Sequence, residues 1–215
     1  MDTRMDKQGQ VKTEPGQSSD IQQQVQQVRE LFADAPELAK TALEKVLHQI
    51  ESGEPSSQPA TQMDSAGRVG SRQGTVSELT LIAPLAPGGA ERLRAILELT
   101  HGNADATELV GTVHDMRFAF LDNDTKLLFA TTYDGDWDPY IDDFVTKIPD
   151  YLDLIFSAIE GYPGIRSPEI KDYILKYQIP ADAWYVANPD LTVAETRRLK
   201  RIGQAVDEFL DKISE

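Results

Sequence analysis

The sequence predicts an α+β domain whose elements follow the order β-α-β-β-α-β, a split β-α-β sheet with helices on one face, plus an N-terminal helical extension and a C-terminal helix. Three observations predict it. Residues 110–121 alternate, with Val110, Thr112, His114, Met116, Phe118 and Phe120 forming a more apolar row than Gly111, Val113, Asp115, Arg117, Ala119 and Leu121; that is the period of a half-buried strand. Residues 126–133, KLLFATTY, are rich in β-branched and aromatic residues and follow Asp122-Asn123-Asp124, whose side chains bond their own backbone and tolerate left-handed dihedrals, so the two stretches form a hairpin. Residues 140–159 then set Ile141, Phe144, Val145, Ile148, Leu152, Ile155 and Ile159 along one helical side.

Residues 1–19 are polar, with little to bury, and are expected to be disordered. Residues 20–52 carry apolar residues at helical spacing, interrupted at Ala35-Pro36, and predict two helices as an extension. Such a pair is marginal alone in water, so it is expected to pack on the core or on another protein. Residues 53–76, rich in Ser, Gly and Pro, predict a flexible linker, and the shift in composition near Val76 sets the boundary of a domain over 77–215.

That domain opens with a strand over Glu78–Leu85, turns at Pro87-Gly88-Gly89, and continues in an amphipathic helix over Ala90–Thr100 that closes near His101-Gly102. The hairpin follows. Asp138-Pro139 predicts the start of the next helix, and Pro149, which removes a hydrogen bond, predicts its kink or division. Ser167-Pro168 caps a short helix over Glu169–Tyr177, Ala183–Ala187 (AWYVA) supplies the fourth strand, and Thr192 with Glu195 forms a capping box for a helix over Val193–Ile213.

Composition excludes several classes. A net charge of -15 argues against nucleic-acid binding, which needs clustered Lys and Arg. The absence of cysteine removes thiolate chemistry and disulfides and fits a reducing compartment. No long apolar run predicts a membrane span, and MDTRMDKQGQ lacks the apolar stretch of a leader, so the expected location is the cytoplasm. Nucleotide-binding glycine loops, a nucleophile elbow and the H-E-x-x-H zinc motif are missing.

The stretches ELTLIAPLAPGGAERLRAILEL and TVHDMRFAFLDNDTKLLFATTYDGDWDPYIDDF resemble the ferredoxin-like, dimeric α+β-barrel superfamily, which includes antibiotic-biosynthesis-type monooxygenases, chlorite dismutases and dye-decolourising peroxidases. The resemblance covers about residues 77–165, rests on element order and hydrophobic texture, and carries no catalytic residue with it. It implies two sheets facing each other around a cavity for haem or a small substrate. One unit per chain then implies a homodimer or a partner barrel domain.

Among the residues themselves, His114 is the one histidine inside an expected strand and is the candidate haem ligand; a core histidine satisfied by its neighbours is the alternative. Asp115 and Arg117, on the other row, are candidates for acid–base and charge-stabilising work, with Tyr133 as a further polar group of the pocket; a surface ion pair is the alternative for Asp115 and Arg117. The acidic run Asp134, Asp136, Asp138, Asp142 and Asp143 is spaced to hold Ca²⁺ or Mg²⁺ but lacks the calcium-loop pattern, and the dipole at a helix N-terminus accounts for Asp138, Asp142 and Asp143 without a ligand. Arg197, Arg198, Lys200 and Arg201 form the one basic run, on the last helix. Two functions follow as expectations: a small-molecule- or haem-handling barrel with redox chemistry, or a non-catalytic interaction module or accessory subunit that docks a partner through residues 20–52.

Overall fold

A computed structural model describes residues 15–52, 63–99 and 105–214, which fall into two compact units divided near residue 60. The first holds α1 (Pro15–Leu31) and α2 (Glu37–Ser52). Arg29 holds Glu44 through two bonds of 3.0 Å, and Val25 and Leu47 are buried. The break at 35–36 stands where proline placed it. Of the expected tail, residues 1–14 lie outside the described residues and 15–19 belong to α1.

The second unit is built on a six-stranded antiparallel sheet: β1 (Met63–Ser65), β2 (Ser71–Gln73), β3 (Val76–Pro84), β4 (Val113–Leu121), β5 (Lys126–Asp134) and β6 (Gln178–Ile179). Strand order is β1-β2-β3-β5-β4, with β6 paired to β3 at Thr80 and Leu81 beyond the point where β2 ends. Helices α3 (Gly89–Leu99), α4 (Trp137–Lys147), α5 (Pro149–Phe156), α6 (Ile170–Tyr177) and α7 (Val193–Ser214) complete it, with a 3-10 turn over Asp105–Leu109.

Alternation sorts the sheet into two faces. Leu79, Leu81 and Ala83 of β3 and Leu127 and Phe129 of β5 join Ile141, Phe144, Leu152 and Ile155 of α4 and α5 in one core. Phe118, Phe129 and Phe156 pack as an aromatic cluster within it, with ring centroids 5.1–6.4 Å apart. Gly89 lets α3 reach this layer, since a Cβ there would lie 2.2 Å from the Ala158 carbonyl oxygen.

The hairpin turn carries three consecutive left-handed residues, Asp122, Asn123 and Asp124 (φ 50, 53 and 65°). Each costs about 1–2 kcal/mol for an ordinary side chain and less for Asp or Asn. The Thr125 hydroxyl donates to Asp122 O at 2.8 Å, and Arg94 of α3 holds the Asp124 carboxylate through two bonds of 2.6 Å while lying 4.2 Å over the Phe120 ring.

Three expectations are corrected. Residues 63–65 and 71–73, assigned to the linker, are strands of the sheet; only 53–62 lie outside the described residues. Long-range partners order this segment: the buried Glu78 carboxylate accepts from Ser71 N at 3.0 Å, Trp137 N donates to Ala66 O at 2.9 Å, and Gln178 donates to Val69 O at 2.9 Å. The fourth strand is not Ala183–Ala187, which is irregular, but the two-residue β6. Finally α4 begins at Trp137 with Asp136 as its cap, so Asp138 and Pro139 lie in the first turn, where a missing N–H still costs nothing.

Trp137 is fully buried, and its indole N–H donates to Gln178 Oε1 at 2.7 Å. Around it the acidic run is neutralised: Asp136 pairs with Arg72, and Asp138 accepts from Arg68 at 2.8 Å and Lys171 at 2.9 Å. Those hydrogen bonds hold Asp138 down to about 2 from 3.8. A carboxylate whose folded value is depressed stabilises the fold above its unfolded value and loses that contribution as pH falls through the folded one. The urea midpoint of Asp138→Asn should therefore fall below wild type at about pH 6, with the gap closing toward pH 2; a gap independent of pH would show that the ion pairs do not act through Asp138.

Candidate functional site

The outer face of the sheet, away from the helical layer, carries the even residues of β3 and β5 and the odd residues of β4. At its lower end a β-bulge falls between Val113 and Asp115, so that Val113 pairs with Tyr133 and Asp115 with Thr132. A bulge sets two residues against one and re-aims a side chain. Its effect here is to bring His114, expected on the apolar row, to the same groove as Asp115 and Arg117.

The groove has a volume of about 480 Å³ and lies between these residues with Val76 and Thr132 on one side and Trp184–Asn188 with Leu191 on the other. His114 Nε2 stands 2.7 Å from Asp134 Oδ1, at the last residue of β5, where the carboxylate is largely shielded from solvent. The second oxygen of Asp134 accepts from Val193 N at 3.0 Å, the first N–H of α7. Both oxygens are committed, one to the imidazole and one to a helix N-terminus, where a negative charge is favourable. Asp115 accepts from the Thr132 hydroxyl at 3.0 Å and lies 3.4 Å from Arg117 Nε, whose side chain is 65% exposed. Trp184 lines the groove with a buried indole N–H that has no hydrogen-bond partner among the described residues, while its carbonyl accepts from Gln73 at 2.9 Å.

Chemically, a histidine whose Nε2–H is given to a half-buried carboxylate has its tautomer fixed, which leaves Nδ1 as a candidate proton acceptor. Arg117 and Asp115 add a polar rim. Trp184, Val186 and Leu191 add an apolar wall for a compact ligand body.

Tyr133 lies elsewhere. It is wholly buried on the core face, stacked on Tyr140 with centroids 3.7 Å apart, and burial pushes its phenol well above the usual range. It does not line the groove. Tyr140 is likewise raised by burial, and its hydroxyl lies 2.9 Å from that of Thr131. Of the four candidates, then, His114, Asp115 and Arg117 come together and Tyr133 does not. Asp134 and Trp184 were not recognised from sequence, because Asp134 reads as one of an acidic run and Trp184 as part of a strand; the bulge at Val113–Asp115, which brings His114 to Asp134, is visible only in the structure.

A haem fits these residues poorly. The nitrogen usually offered to iron, Nε2, is engaged by Asp134. The apolar cavity on the helical side, lined by Leu79, Phe129, Tyr140 and Phe156, holds only about 50 Å³, below the roughly 150 Å³ that admits benzene. Among the described residues no group of three or more His, Asp or Glu is arranged to hold a metal ion. The basic run divides, Arg197 pairing with Glu108 while Arg198, Lys200 and Arg201 are exposed. Among the described residues no helix is long and apolar enough to cross a membrane.

No protein-family model, no curated protein and no solved structure matches this chain.

Replacing Asp134 by alanine removes the acceptor of the Val193 amide as well as the partner of His114. Amide exchange at Val193 should speed up in Asp134→Ala and stay at the wild-type rate in Arg117→Ala, with a loss of stability of about 1–3 kcal/mol confined to the former. Equal protection of Val193 in both variants would contradict the shared role of the carboxylate.

Proposed function

We propose that this protein handles a small molecule in the groove of a ferredoxin-like α+β domain, with His114 exchanging a proton under the control of Asp134. The observation that carries the reading is the 2.7 Å contact between His114 and the shielded Asp134 at the edge of a groove with an apolar wall. Support for the ferredoxin-like reading comes from the strand order β6-β3-β5-β4, antiparallel throughout, with α3 joining β3 to β4 and α4 to α6 joining β5 to β6.

In this mechanism the ligand body lies on Trp184, Val186 and Leu191 and places an O–H or N–H against Nδ1 of His114. The proton passes to Nδ1, and the imidazolium so formed keeps its Nε2–H hydrogen-bonded to Asp134. Arg117, reaching solvent at the rim, faces the charge left on the ligand. The net charge of -15 disfavours a ligand that is already an anion in solution and favours a neutral one that becomes anionic when bound. A phenol or an enolisable carbonyl compound has that property. The monooxygenase- or peroxidase-like redox chemistry implied by the resemblance belongs to the same proposal, and the dyad contributes its proton-transfer step.

A second reading, an interaction module, is favoured by the exposed Leu38, Val46 and Ile50 of α2.

Titration with simple phenols, followed through the indole N–H resonance of Trp184, separates the two readings. The first predicts a saturable shift whose apparent affinity falls at least about tenfold in His114→Ala and Asp134→Asn, with a bound phenol spectrum moved toward phenolate in wild type only. A Trp184 resonance that no phenol moves overturns this reading for that ligand class and leaves the interaction module.

A further inference from the structure

The far wall of the groove is hung from the turn between β2 and β3. Gln73 pairs with Val76 across that turn, so Gly74 and Thr75 are its two central residues. The Gln73 side-chain amide, on a residue only 8% exposed, donates to Trp184 O at 2.9 Å. Thr75 donates twice to Pro189 O, from its N–H at 2.8 Å and from its hydroxyl at 3.0 Å. Gly74 passes against the same carbonyl. A Cβ there would lie 2.4 Å from Pro189 O, and its φ of 59° is one that glycine adopts without a clash. The wall is thus tied at residues 184 and 189, and Tyr185, Val186, Ala187 and Asn188 span the interval, with Tyr185 87% exposed.

We propose that Gln73 and Gly74 are positioning residues that set the width of the groove, an inference that rests on the groove being the ligand site. Neither residue lines the groove itself. They act on Trp184 and on the span beside it. An irregular segment with a solvated main chain opens at little free energy, so the bonds at its ends decide where it stands. The glycine alone would be explained by the two-residue hairpin turn. What the hairpin does not need for its own closure is the reach of Gln73 and Thr75 out of it, to carbonyls more than 100 residues later in the chain.

Both walls are referred to one frame by these bonds. The near wall, β4, is fixed by its register on β5, and β5 by its register on β3. The far wall is fixed by β2, whose register is also on β3. A ligand body therefore enters a slot of set width and does not have to order one wall as it binds, which favours affinity. Such a slot also selects among ligands by the thickness of the body laid against Trp184.

The test uses the full-length chain, whose lack of cysteine allows nitroxide labels at Ala119→Cys on β4 and Tyr185→Cys on the far wall. Gln73→Glu keeps the shape of the side chain and removes its N–H; Gly74→Ala drives the turn against Pro189. The expected result is a label separation that shifts or broadens in both variants. In unlabelled protein the same substitutions weaken the binding of simple phenols at least about tenfold and leave the ring tautomer of His114 as in wild type, which separates a displaced wall from a lost dyad. A separation unchanged in both variants overturns the proposal, and so does a shifted separation with phenol affinity unchanged. If the wild type binds no phenol, the reading of the groove as a phenol site fails, and the separation still decides whether Gln73 and Gly74 place the wall.

Discussion

One carboxylate, Asp134, joins the groove on the sheet to the start of α7 in the second unit. Its Oδ1 holds His114 and its Oδ2 caps the first N–H of α7, at 2.7 and 3.0 Å. A carboxylate largely shielded from solvent needs its lone pairs used, and here both uses have consequences. The imidazole is tied to the end of β5, and α7 begins at a set point. Thr192 and Glu195 reinforce that departure, Glu195 accepting from Thr192 N at 2.9 Å while Thr192 caps Glu195 N. Those bonds hold the Glu195 carboxyl below its usual range. Changes at the groove and at the start of α7 are therefore coupled through one residue.

The sheet makes this arrangement available by dividing its labour between faces. The helical side is filled by Leu, Ile, Phe and stacked Tyr side chains, leaving only a small apolar gap. The lower end of the outer side is bordered by the irregular segment 180–192. There Asp115, Thr132 and Asp134 are hydrogen-bonded without disturbing the core. The bulge at Val113–Asp115 adds His114 to that set.

Local chemistry made much of this legible in the sequence. The Asp-Asn-Asp turn, the division at Pro149, the break at Pro36 and the Thr192–Glu195 box each depend on a few adjacent residues, and each stands where those residues put it. What was not legible depends on distant partners. Residues 63–73 have a linker's composition and become strands because Glu78, Trp137 and Gln178 take up their backbone groups. β2 pairs with β3 at Ser77 and Val76, and β6, two residues long, pairs farther along the same strand at Thr80 and Leu81. The β-rich AWYVA becomes groove wall instead, with Tyr185 87% exposed. The bulge leaves the alternating pattern of residues 110–121 unchanged on paper, which is why His114 appears there on the wrong row. The types of three groove residues could be read from sequence; the partner that gives His114 its chemistry required the strand register.

The most direct measurement of the central claim is the ring-nitrogen NMR spectrum of His114 in the neutral state. Control by Asp134 predicts a ring protonated on Nε2, with an Nδ1 resonance typical of an unprotonated acceptor nitrogen, and loss of that single tautomer in Asp134→Asn. A ring protonated on Nδ1, or a tautomer mixture in the wild-type protein, would contradict it.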